Sequence, residues 1–262
     1  MELSLVGKRA LVCGSTAGIG KAAAIELARL GADVIVAARD AQKSTQTAAQ
    51  LPSTGSQVHA ALVLDTTDPA SVSAAAAQIA GDQRPIHILV NNTGGPPGGT
   101  MLDATEEQLA AAFQSLLVAA HTLTRAVVPG MKREKYGRII NVSSTSVKAP
   151  IPNLGLSNAV RAGVANWAKT LSLELAPFGI TVNNVLPGYT DTERLTQLFS
   201  GRAAKSGKSL DQVLTDVVAT IPAGRLGRAE EVGSAIAFLA TPAAAYINGI
   251  NLPVDGGRLG TL

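Results

Sequence analysis

Short apolar runs rich in β-branched residues alternate along this chain with longer stretches whose apolar positions recur at helical spacing. ALVCG at 10–14 leads into a helix ending near residue 30, and DVIVAA at 33–38 into a polar, Ala-rich helix. VHAALVLD at 58–65 leads into a helix from about residue 68, and IHILVNN at 86–92 follows it. The second half continues with a helix over about 105–132, a strand GRIINVSS at 137–144, a helix over about 156–176 and a strand ITVNNVLPG at 180–188. A helix at about 229–240 and a short strand INLPVDGG at 250–257 close the pattern. Apolar strands joined by helices are βαβ units of a parallel sheet buried on both faces. The prediction is an α/β chain forming one domain over residues 1–262, a doubly wound parallel sheet of about seven strands flanked by helices. Ligands of such sheets bind beyond the carboxyl ends of the strands, so the strand ends Gly14, Arg39, Asp65 and Asn91 are expected to line one crevice.

One stretch breaks the alternation. Residues 192–221, TERLTQLFSGRAAKSGKSLDQVLTDVVATI, are polar and helical without a strand. Beside a ligand crevice this reads as a substrate lid, with a surface helical hairpin as the alternative.

Composition narrows the class. Hydrophobic residues at 46% and charged residues at 16% suffice for a large core. With 22 Lys and Arg against 19 Asp and Glu, scattered along the chain, no nucleic-acid surface is expected. No run reaches the roughly 18 apolar residues of a membrane span, so no membrane partner is expected either. The single Cys13 lies in a strand, as a small buried apolar residue would, and a reducing cytoplasmic location fits it. His59, His87 and His121 lack metal-ligand spacing, and no metal site is expected.

The chemistry centres on residues 8–31, KRALVCGSTAGIGKAAAIELARLG, a strand, a tight turn and a helix. Gly14, Gly18 and Gly20 stand where such a turn needs positive φ, close backbone approach to a phosphate, and room for helix and strand to touch. The helix that starts there would aim free N–H groups at an anion.

With the Gly14-x-x-x-Gly18-x-Gly20 turn come Asp65 after the third strand, Asn91-Asn92-Thr93-Gly94, Asn141-Val142-Ser143-Ser144, Pro187-Gly188 followed by Thr190 and Thr192, and the C-terminal GRLGRAEEVGSAIAFLATPAAAYINGINLPVDGG. Together they resemble the short-chain dehydrogenases/reductases, single-domain Rossmann-fold enzymes that move hydride between a nicotinamide cofactor and a carbonyl or alcohol. The nearest pattern is that of the beta-ketoacyl carrier-protein reductases. The resemblance implies that Gly14, Ser15, Thr16, Gly18, Ile19 and Gly20 hold the pyrophosphate and that Asp65 contacts the adenine. It places Asn91 and Gly94 beside the adenosine ribose and the nicotinamide side, and Pro187, Gly188, Thr190 and Thr192 at the carboxamide. The second strand ends Ala37-Ala38-Arg39 rather than in an acid, which favours NADP over NAD as cofactor; a solvated loop arginine neutralised by Asp40 is the alternative. A homotetramer or homodimer built through the long helices and the C-terminal strand is also implied.

The family's chemistry is carried by an Asn in the long helix, a Ser after the fifth strand, a Tyr thirteen residues on and a Lys four beyond that. Counting from Ser144 places Ser157 and Arg161 at the last two positions, and Leu116 stands at the first. The flanking Ala162-Gly163-Val164 holds the register, and the chain resembles an atypical branch lacking the Tyr/Lys pair. Arg161 could still hold ribose or phosphate. Lys148, four residues after Ser144, is a replacement proton donor, a surface loop lysine or an anchor for a substrate carboxylate, and His121 reads as a packed or interface histidine. Trp167 reads as a core or subunit-contact residue. Two functions follow as expectations: an NADP(H)-dependent oxidoreductase acting on a small-molecule carbonyl or alcohol with a non-standard proton donor, or a catalytically silent NADP(H)-binding regulatory or structural subunit.

Overall fold

The structure, a computed structural model, describes residues 1–261 apart from the side chain of Lys205. Seven strands, β1 (Arg9–Cys13), β2 (Asp33–Ala38), β3 (Ala60–Val63), β4 (Ile88–Asn91), β5 (Gly137–Val142), β6 (Ile180–Pro187) and β7 (Asn251–Val254), form one sheet in the order β3-β2-β1-β4-β5-β6-β7. Every pairing is parallel. The order reverses between β1 and β4, and that reversal opens a crevice at their carboxyl ends.

Alternation along each strand divides the core. Ala10 and Val12 of β1 face one layer, where α1 (Gly18–Arg29), the end of α2 (Ala41–Ala49) and α9 (Ala229–Ala240) contribute Leu27, Ala48 and Ile236. Leu11 and Cys13 face the other, with Val72 of α3 (Pro69–Gly81), Leu123 of α5 (Ala119–Glu134) and Ala168 of α6 (Gly155–Leu175). Cys13 is fully buried, and desolvation pushes its thiol up to about 12.

The helix expected over 105–132 is interrupted. After α4 (Glu106–Phe113), opened by a Thr105–Gln108 capping box, residues Gln114–Val118 form a π-helical turn before α5. That turn carries Leu116 into the crevice wall; its extra residue is invisible to apolar spacing. Residues Glu106–Glu134 together are long and apolar enough to cross a membrane by length and composition, but Leu116, Leu123, Val127 and Met131 use that apolarity in the core. The strand expected over 137–144 ends at Val142, because Ser144 turns out of the sheet to cap the 3-10 turn Thr145–Val147. Residues 192–221 fold as the helical hairpin α7 (Glu193–Ser206) and α8 (Leu210–Val218), with its own small core around Phe199, Val213 and Val217.

A chain of side-chain amides crosses the sheet. Asn91, Asn141, Asn184 and Asn251 stand in register on β4, β5, β6 and β7. Each Nδ2 donates to the next Oδ1, at 2.9, 2.9 and 2.8 Å.

At the exposed start of α9, Arg225 Nη1 and Nη2 donate to the two oxygens of Glu231 at 2.8 and 2.6 Å. Hydrogen bonds from the Arg225 side chain and the Arg228 N–H hold the Glu231 carboxyl down to about 2. A depressed folded pKa gives stability that is present above the unfolded value and lost as pH falls. Stability is expected to decline between about pH 4.5 and pH 2 in wild type, and this part of the decline should vanish in Glu231→Gln when denaturation midpoints are followed across pH.

Candidate active site

The crevice is built first by the turn between β1 and α1. Gly14 and Gly18 adopt φ of 59° and 53°, in the left-handed region. At Gly20 a Cβ would collide with the Gly14 carbonyl oxygen and lie 2.7 Å from Asn92 Nδ2. Helix α1, with Ala17 at its N-cap, has no side-chain cap, whereas Asp40, Asp68, Thr105 and Ser209 cap α2, α3, α4 and α8. Its first-turn N–H groups therefore remain for a ligand, and their dipole favours an anion. Thr16 and Ile19 are half-buried around this turn, Ile19 packing on the core. Ser15 is turned inward: its hydroxyl donates to the Val12 carbonyl at 2.6 Å and accepts from the Ala37 N–H at 3.1 Å, tying β1 to β2.

Beside the turn, Arg39 lies exposed at the end of β2, and its charge contributes to holding the Asp65 carboxyl below its ordinary value. The largest influence on Asp65 is desolvation, which acts upward, and hydrogen bonds from the Thr67 hydroxyl and N–H outweigh it. Asp40 does not neutralise Arg39: its side chain accepts from the Lys43 N–H at 2.9 Å, and its ion-pair contact is with Lys43. Asn92 Nδ2 clamps the carbonyls of Cys13 and Gly14 at 3.2 Å each. Thr66 and Thr93 share a hydroxyl hydrogen bond of 2.7 Å, and Gly94 is exposed above them. The Asn91 side chain lies within the sheet, donating to Asn141, rather than facing the open crevice. Across the crevice, the loop after Pro187 runs through Gly188 and Thr190 to Thr192, the N-cap of α7, which accepts from the Leu195 N–H. A Cβ on Gly18 would lie 3.3 Å from Thr192 Cγ2, so the glycine turn and this loop touch.

The expected catalytic positions gather at the end of β5. Ser144 is half-buried, and its Oγ accepts from the Ser146 N–H at 3.1 Å. Ser157 and Arg161, one turn apart on α6, are each 9% exposed, and Arg161 Nε donates to Ser157 Oγ at 3.1 Å. Arg161 Nη1 donates to the carbonyls of Val142 and Ser143 at 3.1 and 2.9 Å. Burial, reinforced by the positive charge of Arg194, pushes Arg161 down to about 10, so the guanidinium stays charged at neutral pH. Lys148 ends the 3-10 turn on the exposed surface. Leu116 packs with Ala112, Val160 and Val164. His121 is exposed and accepts from Trp167 Nε1 at 3.3 Å. The tyrosines have other duties: Tyr136 OH donates to the Ala240 carbonyl, Tyr189 packs on Phe199, and Tyr246 is fully exposed.

Between these residues lies a cavity of about 30 Å³, lined by Asn91, Thr93, Leu116, Asn141, Ser143 and Arg161 among others. Asn91 Oδ1 and Ser143 Oγ are buried here without a partner among the described residues. A cavity of this size with several polar walls has room for an ordered water. Sequence reasoning missed Arg194, whose Nη2 donates to the Gly95 and Pro96 carbonyls at 3.2 and 3.1 Å. Nothing in its polar helical context marks it; its role appears only once α7 is placed beside the Gly95 loop.

The sequence profile of the family described as enoyl-(acyl carrier protein) reductase matches residues 14–258. The chain is 37% identical over 257 residues to the 3-oxoacyl-[acyl-carrier-protein] reductase FabG of Vibrio cholerae, covering 97% of this chain and 98% of that protein. Among solved structures, L-sorbose reductase from Gluconobacter frateurii in complex with NADPH and L-sorbose superposes with a TM-score of 0.92 at 28% identity, covering all of both chains. Gluconate 5-dehydrogenase from Burkholderia cenocepacia in complex with NADP and tartrate superposes with a TM-score of 0.87 at 29% identity, covering 100% of this chain and 98% of the other. A parallel sheet of this order, a glycine turn opening an uncapped helix, and matches along nearly the whole length lead to one conclusion: the chain belongs to the short-chain dehydrogenase/reductase family.

Proposed function

We propose that this chain is an NADP(H)-dependent oxidoreductase transferring hydride between the nicotinamide and a carbonyl or alcohol compound, with an atypical proton-transfer arrangement. The observation that carries the reading is the turn at Gly14–Gly20, where bare N–H groups of α1 and the absence of any Cβ at Gly20 leave a cradle for the dinucleotide phosphates. Arg39 at the end of β2 suits a 2′-phosphate, and the relatives solved with NADPH and NADP support the same cofactor.

The bound cofactor supplies the hydride. Arg161, fixed on the carbonyls that end β5, would hold the ribose and keep positive charge beside the reacting carbonyl. Ser144, its hydroxyl oriented by the Ser146 N–H, would hydrogen-bond the substrate oxygen. A seryl hydroxyl is a weak acid, so the proton is supplied through Ser157, polarised by Arg161, through Lys148, or through a water in the cavity beside them. The hairpin over 192–221, joined to the crevice through Thr192, acts as the substrate lid.

Titration of the full-length protein, read by NADPH fluorescence, tests the cofactor. NADPH should bind more tightly than NADH, and Arg39→Asp should weaken NADPH about tenfold or more through loss of a charge-assisted contact. Equal affinities for both nucleotides in wild type would defeat the preference. For assembly, Phe113, Val118 and Leu173 are exposed on the long helices, and a dimer or tetramer is the expected species in sedimentation; a monomer at micromolar concentration would contradict it.

A further inference from the structure

Resting on the oxidoreductase reading, we propose that Arg161 and Arg194 together bind an oxyanion of the substrate, so that the substrates are carbonyl or hydroxy compounds carrying a carboxylate or phosphate. The Gly95 loop brings the two guanidiniums to one place. A Cβ built on Gly95 would lie 3.5 Å from Arg161 Nη2 and 3.8 Å from Arg194 Nη2, so both nitrogens border the same small volume, kept open by the missing side chain. Backbone carbonyls anchor each guanidinium and leave other donors for an anion, Nη2 on Arg161 and Nη1 and Nε on Arg194. Arg161 uses Nη1 on Val142 and Ser143, and Arg194 uses Nη2 on Gly95 and Pro96.

The loop itself is pinned to the start of α6. The Gly99 N–H donates to the Asn153 carbonyl at 2.8 Å, and the Gly155 N–H donates to the Gly99 carbonyl at 3.0 Å. Among the described residues, no carboxylate lies within 4.0 Å of either guanidinium, although Arg161 is nearly fully buried. A buried cation facing a second cation with no acid to balance them is costly unless an anion joins them, and paired guanidiniums match the geometry of a carboxylate or phosphate. Arg194 sits in the first turn of α7, so an anion bridging the pair would also draw the hairpin onto the crevice.

The test is calorimetric titration of the full-length protein, saturated with NADP⁺ at constant ionic strength, with sodium malonate and inorganic phosphate as probes and malonamide as the neutral control. Expected is saturable binding of malonate or phosphate and none of malonamide. Arg194→Ala should weaken the anion about tenfold or more, Arg194→Lys should weaken it less, and NADP⁺ affinity should stay within about twofold. Gly95→Val, which fills the shared volume while leaving both arginines in the chain, should also block the anion. Anion binding that is absent, unchanged in both Arg194→Ala and Gly95→Val, or displaced by NADP⁺ would overturn the proposal, the last by giving the arginines to the cofactor. If NADP⁺ itself fails to bind, the cofactor reading falls, and the same malonate titration of the free protein decides the anion site separately.

Discussion

Asn141→Leu is expected to lower the unfolding free energy by about 2–6 kcal/mol. Asn141 is 1% exposed and is the second link of the amide chain, accepting from Asn91 Nδ2 and donating to Asn184 Oδ1. Leucine removes both functions and leaves a buried donor and a buried acceptor bare, each costing about 1–3 kcal/mol. For a domain of this size that corresponds to a fall in Tm of roughly 4–24 °C. Asn251→Ala is the control: Asn251 is half-buried at the edge strand, so water can replace its contact and the loss should stay below about 1.5 kcal/mol. Thermal unfolding of the two variants side by side checks the difference, and similar Tm values would show that the amide chain does not act as a unit.

The second large effect concerns binding. Gly20→Ala is expected to remove measurable NADPH binding and to destabilise by about 1–3 kcal/mol, the usual cost of overpacking. The added methyl would press on the Gly14 carbonyl and lie 2.7 Å from Asn92 Nδ2 and 2.8 Å from the Gly14 carbonyl carbon. Relief requires moving either the turn or the Asn92 clamp on Cys13 and Gly14, and both shape the phosphate cradle. Gly81→Ala, on an exposed helix end with nothing near its would-be Cβ, should bind NADPH as wild type does. Fluorescence titration of the pair reads this out, and retained binding in Gly20→Ala would mean that the phosphates sit elsewhere.

The sheet was legible because its signal is local. Apolar runs such as DVIVAA and IHILVNN mark strands buried on two faces, and the helix at 229–240 was bounded correctly by its own spacing. The π turn at Gln114–Val118 was not legible, since one extra residue leaves the apolar rhythm almost unchanged while rotating everything after it. The candidate site divides in the same way. Gly14, Gly18 and Gly20 announce themselves through backbone needs that few other residues meet. Asn91, Asn141, Asn184 and Asn251 are visible singly in the sequence, but their chain of hydrogen bonds exists only in the register of four strands. Ser15, read as part of the cradle, faces the sheet because its hydroxyl closes the gap between β1 and β2. Arg161 and Arg194 lie far apart along the chain, and their convergence beside Gly95 needs α6, α7 and the loop together.

Under the proposed function, proton transfer rests on Ser157, Lys148 or a cavity water rather than on a phenol. General acid catalysis typically contributes about 10²–10⁴-fold, whereas positioning and charge stabilisation in a closed site contribute more. Under the proposed function, hydride transfer is therefore expected to survive with Ser157 and Arg161 in place of a phenol and an amine, at a reduced rate. The decisive measurement is stopped-flow decay of NADPH absorbance when the NADPH-loaded protein is mixed with a broad panel of carbonyl compounds. Decay with at least one compound, lost in Ser144→Ala, is the predicted result. An inert wild type whose Ser157→Tyr, Arg161→Lys double variant gains turnover would contradict it and mark the chain as a nucleotide-binding subunit.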